Sequence, residues 1–125
     1  MSGATVLIVE DELAIAELLS MALTDGGYRV VLAANGRQAL ERLNEGPSPD
    51  LIITDLMMPV LDGPQLIQAI QQSEPQRDIP YIIMSSIPED AVRRRINGYA
   101  GFIRKPFRLV SVIQLVTNVL TRSPG

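Results

Sequence analysis

Apolar and polar positions along this chain alternate between two kinds of segment. Short, nearly unbroken apolar runs at 4–9, 28–33, 51–54, 81–84 and 101–104 read as strands. Their β-branched residues and lack of polar alternation suit strands covered on both faces. Between them, apolar residues recur at helical spacing. Ile15, Leu18, Leu19, Ala22 and Leu23 predict a helix over 12–24, stopped by Gly26-Gly27. A second helix is predicted over 37–44 after the Asn35-Gly36 turn, and the loop from Gly46 to Pro49 leads back to a strand. Pro64 suits the first turn of a third helix bearing Leu66, Ile67 and Ile70. Further helices are expected over 89–97 and 109–121.

The order is strictly β then α. Parallel neighbours need crossover connections, and right-handed crossovers place helices on both faces of a sheet. The expectation is therefore a three-layer α/β sandwich of five βα units. A closed eight-unit barrel would need roughly twice the chain.

Composition narrows the chemistry more than the fold. At 125 residues the chain is expected to be one domain spanning 1–125, and 46% hydrophobic with 20% charged residues is ordinary for a packed protein. No apolar run is long enough to cross a bilayer, and charges at Glu10-Asp11-Glu12 interrupt any signal-peptide core, so a cytoplasmic location and no membrane contact are expected. Cysteine and histidine are both absent. Thiol chemistry is thereby excluded, and any metal must be a hard cation held by oxygen. A net charge of −3 argues against direct nucleic-acid binding. The one basic run, Arg93-Arg94-Arg95, reads as a solvated helix face.

What ends each strand then changes the picture. The first strand ends at Glu10 and Asp11, the third at Asp55, the fourth at Ser85 and the fifth at Lys105, so one sheet edge gathers acids, a hydroxyl and an amine. Open α/β sheets bind ligands at that edge, and Asp55 is expected to face a solvent-filled crevice there. Lys105 is the only lysine beside ten arginines. A compact ammonium on a flexible stem suits a single oxyanion, although a lysine placed at random on the surface is the plain alternative. Three neighbouring carboxylates repel unless a cation joins them, and without His or Cys that cation should be Mg²⁺ or Mn²⁺. The chemistry implied is phosphoryl transfer to Asp55 as nucleophile, with Lys105 and Ser85 holding the transferred oxygens.

Glu10-Asp11, the turn from Asp55 through Met57, Met58 and Pro59 to Asp62-Gly63, Ser85, and Lys105-Pro106 together resemble the receiver domain of two-component response regulators. The match runs in order over nearly the whole chain. The resemblance implies a flavodoxin-like (βα)5 fold with strand order 2-1-3-4-5. It also implies roles: Asp55 as phosphoacceptor, Glu10 and Asp11 as metal-binding acids, and Met57 as donor of a backbone carbonyl to the metal. Ser85 would be the switch hydroxyl, Lys105 the phosphoryl-pairing lysine, Phe102 the switch aromatic, and Lys105-Pro106 a cis peptide. A plain core aromatic is an equal reading of Phe102, and Met58 reads as a packing residue. A histidine kinase or phosphotransfer protein would dock beside Leu13 and Ala14. Output would pass through the fifth strand and the last two helices, to a protein target or a second copy.

The chain departs from the family between Ser85 and Lys105, where it is a couple of residues short, so a short or irregular fourth helix is expected. The last helix carries more apolar positions than one stripe. Leu109, Val112, Val116 and Leu120 can face the sheet, and Val110, Ile113 and Leu115 are left for a partner contact or for a deeply seated helix. Two rivals share the fold: a scaffold that no longer uses phosphorylation, whose sign would be a damaged acid set, and a small Mg²⁺-dependent phosphohydrolase. The latter commonly has an acid two residues after its nucleophile, where this chain has Met57.

Overall fold

The computed structural model describes residues 3–56, 62–73 and 76–122. Five strands, β1 (Thr5–Val9), β2 (Arg29–Ala33), β3 (Leu51–Asp55), β4 (Tyr81–Ser85) and β5 (Gly101–Arg104), form one sheet in the order β2-β1-β3-β4-β5. Every pairing is parallel. The helices are α1 (Leu13–Asp25), α2 (Gly36–Glu45), α3 (Gly63–Gln71), α4 (Glu89–Arg93) and α5 (Leu109–Arg122). This is the flavodoxin-like arrangement expected, with one short 3₁₀ turn at Gln76–Asp78 that the periodicity did not suggest.

Alternation along the strands splits the core in two. Leu7, Val9, Ile52 and Ile83 point to one face and pack with residues of α2, α3 and α4, among them Leu43, Leu66, Ile70 and Val92. Val6, Ile8, Ile53 and Ile82 point to the other, against Leu19 and Leu23 of α1 and Val112, Val116 and Val119 of α5. The period of two explains why the central strands lack an alternating polar face: both faces are covered.

Local signals set the helix ends. The Asn35 side chain accepts from the Gln38 amide at the start of α2, and Asp62 and Gln65 form a reciprocal capping box at the start of α3. α4 is the short helix expected, five residues rather than the nine of 89–97.

Two details differ from the periodicity. Leu18 lies on the solvent side of α1 at 51% exposure, and Ala16 takes the buried position, because α1 seats on the Ala16, Leu19 and Leu23 line. In α5 the buried line is Val112, Val116 and Val119, while Leu109 and Leu120 are only half-buried. Ile113 and Leu115 also pack against the core, so of the surplus apolar positions only Val110 is left exposed.

Candidate functional site

Register explains how four separate stretches meet. Val9 of β1 lies level with Thr54 of β3, so Glu10 follows level with Asp55. Asp55 lies level with Met84, and Met84 with Ile103, which leaves Lys105 two residues beyond the level of the acids. A long stem is therefore required to reach back, and lysine has one. Its backbone is fixed by a hydrogen bond from the Lys105 amide to the Ser85 carbonyl, and the Lys105-Pro106 peptide is cis.

The Lys105 ammonium donates to Glu10 Oε1 at 2.9 Å and to Asp55 Oδ2 at 3.2 Å. Glu10 is almost wholly buried, and its other oxygen accepts from the Glu12 amide at 3.0 Å. Asp11 is exposed beside them. Oxygens of Glu10, Asp11 and Asp55 all lie within 4.8 Å of one another, a set able to hold a divalent cation. Three carboxylates and one ammonium sum to −2, the charge such a cation cancels.

Electrostatics agree with this shortage of positive charge. Burial raises the pKa of Asp55 above its ordinary value, and the Lys105 charge offsets only part of that. Burial likewise raises Glu10, against hydrogen bonds from Lys105 and the Glu12 amide. For Lys105, burial works against the ammonium, but the hydrogen bond to Glu10 and the nearby Asp55 charge win and hold its pKa above the usual value.

Asp55 is more enclosed than a strand-ending crevice suggested, at 7% exposure. Gly63 is part of the reason. A Cβ there would stand 2.8 Å from the Asp55 carbonyl oxygen and 3.0 Å from the Leu56 Cα, so only glycine lets the start of α3 close over the end of β3. The Asp62-Gly63 turn was visible in the sequence, but its packing role was not. Met57 and Met58 lie outside the described residues.

Ser85 is buried at the same edge, and its Oγ accepts from the Ile87 amide at 2.9 Å. A hydroxyl that accepts through one lone pair keeps its proton to donate elsewhere. Phe102 is half-buried against the α2–α3–α4 core and meets Tyr99 with ring centroids 6.3 Å apart. The Tyr99 hydroxyl donates to Glu89 of α4 at 2.8 Å, a link from the loop before β5 to α4 that no sequence pattern signalled.

The model of the response regulator receiver domain family matches residues 6–117. The chain belongs to that family. Among curated relatives, this receiver domain is 39% identical over 123 residues to the sensor kinase CckA of Brucella abortus. It is 34% identical over 119 residues to the phosphate regulon transcriptional regulatory protein PhoB of Escherichia coli. These alignments cover 96% and 94% of the chain but only 13% and 52% of the relatives' own lengths.

Solved structures agree. The receiver domain of a signal transduction histidine kinase from Syntrophus aciditrophicus superposes with a TM-score of 0.86 at 36% identity, covering 97% of this chain and 92% of that one. The receiver domain of the sensor histidine kinase PA1611 from Pseudomonas aeruginosa, solved with magnesium coordinated in its active-site cleft, has a TM-score of 0.84 at 27% identity, covering 96% and 99%. Receiver domains are self-phosphorylating signalling modules rather than enzymes acting on a separate substrate. Among the described residues, no helix is long and apolar enough to cross a membrane.

Proposed function

We propose that this receiver domain accepts a phosphoryl group from a phosphohistidine onto Asp55. The observation that carries the reading is the convergence of Lys105 on Asp55 and Glu10, with Asp11 alongside, at an excess of negative charge. An Asp55 carboxylate oxygen attacks phosphorus, and the phosphorus–nitrogen bond of the donor breaks with its electron pair left on the imidazole. Lys105, already hydrogen bonded to the nucleophile, moves its ammonium onto a phosphoryl oxygen as charge develops there. Ser85 donates its free proton to another.

Glu10, Asp11 and Asp55, with the Met57 carbonyl as the family resemblance implies, would hold Mg²⁺ or Mn²⁺. When bound, that ion offsets the charge gathered on the phosphoryl oxygens. The donor is a histidine kinase or phosphotransfer protein, as the sensor-kinase relatives support, and Leu13 at 67% exposure offers an apolar contact beside the site. The acyl phosphate then repacks Ser85 and Phe102, changing β5, α4 and α5 for a protein target or second copy. Residues 1–125 are read as one receiver domain working in the cytoplasm.

Incubation with Mg²⁺ and a small acyl phosphate, followed by intact mass, tests the reading. A gain of one phosphoryl group, abolished by chelator and by Asp55→Asn, supports it. No gain, or a gain that persists in Asp55→Asn, overturns it.

A further inference from the structure

The shortness of α4 leaves a mark away from the acid site. After Arg93 the chain runs on without helix, and a groove of about 360 Å³ opens between this segment and α3. Arg93, Arg94 and Arg95 line one side, Gln65, Gln68 and Gln71 the other. The glutamines recur every three residues, so they form one stripe of α3. Among the described residues no acid lines the groove, in a chain with 14 acids and a net charge of −3. Arg93 is paired with Glu89 at 3.4 Å, in an exposed contact made within α4 itself.

The arginine side is also held in place. Ile96 is buried at the groove and anchored by its amide to the Val92 carbonyl. The Tyr81 hydroxyl donates to the Asn97 carbonyl. Gly98 follows at φ +81°, where a Cβ would lie 3.3 Å from the Tyr81 oxygen. A side chain other than glycine is strained there, so the turn after the arginines is specified by sequence.

We propose that this groove docks an extended acidic segment of a protein partner, its carboxylates toward the arginine side, where Arg94 is exposed, and its backbone amides and carbonyls on the glutamine stripe. Guanidinium forks match carboxylates, and neutral amides serve both polar groups of a peptide backbone. The groove is open and polar rather than enclosed and apolar, which suits a segment laid along it better than a buried small molecule. Docking here needs no phosphoryl group, so the proposal stands apart from the chemistry at Asp55.

The test is a titration of the ¹⁵N-labelled full chain, without phosphoryl donor, with an eight-residue peptide alternating serine and glutamate. The expected result is saturable shifts at the amides of 94–97 and the side-chain amides of Gln68 and Gln71. The peptide with glutamine for glutamate should bind at least tenfold more weakly. Arg94→Glu, at an exposed position, should weaken the acidic peptide by a similar factor, and Gln68→Glu should do so while leaving every arginine in place. Equal binding of both peptides, shifts centred elsewhere, or indifference to both variants overturns the proposal. So does saturation of the same amides by inorganic pyrophosphate but not by the peptide, which would make the groove a phosphate site.

Discussion

Asp50 and Asp55 bracket the same strand, and their surroundings could hardly differ more. Asp50 is exposed at the entry to β3, where its Oδ2 accepts from the Thr5 amide at 2.8 Å while its own amide donates to the Thr5 carbonyl at 2.8 Å. That acid closes the backbone pairing of β1 and β3 and is satisfied by it. Asp55 is buried at the exit and shares one ammonium with a second buried acid. One carboxylate completes a structure; the other leaves the structure short of positive charge. That unmet demand is what marks a site for a ligand, because burying like charges is costly unless something arrives to balance them.

The largest expected effect separates the two acids outright. Asp55→Asn should abolish phosphoryl gain, whereas Asp50→Ala should leave it intact and lower stability by about 1 kcal/mol, the loss of the one hydrogen bond its side chain accepts from Thr5. Denaturant unfolding and intact mass on both variants read the contrast. Lys105→Ala comes next: the rate of phosphorylation by a small acyl phosphate should fall roughly a hundredfold, the usual effect of removing one preorganised donor. Lys105→Arg should recover only part, because a planar fork cannot approach both acids as an ammonium does.

A third effect concerns pH. Glu10 and Asp55 have raised pKa values in the fold, so each contributes stability when protonated that is lost as pH rises through the folded value. Other carboxylates contribute differently, so the readout is the difference between the native chain and Glu10→Gln/Asp55→Asn. The native chain should lose stability relative to this variant between acid and neutral pH without divalent ion. Mg²⁺ at neutral pH should restore it, and its apparent affinity should fall on acidification because it must displace protons held more tightly than usual.

The smallest effect is on partner choice. Leu13→Asp should slow transfer from a phosphohistidine protein while sparing reaction with a small donor, since the substitution is on the surface and outside the acid set. Equal slowing of both reactions would place Leu13 in the site rather than beside it.

Much of this molecule was legible in sequence because its two periodicities are clean. Buried parallel strands such as β1, apolar from Val6 to Val9, carry no polar break, and caps such as Asn35 and Asp62 stand where helices begin. The acids, Ser85 and Lys105 were legible because strands of similar length in one register bring their ends to one edge. What escaped depends on distances between segments remote in sequence. The close approach of Gly63 to Asp55, the Tyr99 link to Glu89 and the buried Gln76 amide that donates to the Leu43 carbonyl all belong to tertiary packing. The inward stripe of α1 escaped for a related reason: helical spacing shows which residues share a stripe, but packing puts Ala16 inside and leaves Leu18 outside.

The most direct measurement locates the bond itself. Phosphorylated protein treated with borohydride converts an acyl phosphate to an alcohol, so peptide sequencing by mass reads homoserine where the aspartyl phosphate stood. Homoserine is expected at position 55 alone, dependent on Mg²⁺. Reduction at Asp11, at Glu10 or at an acid remote from Lys105 would contradict it.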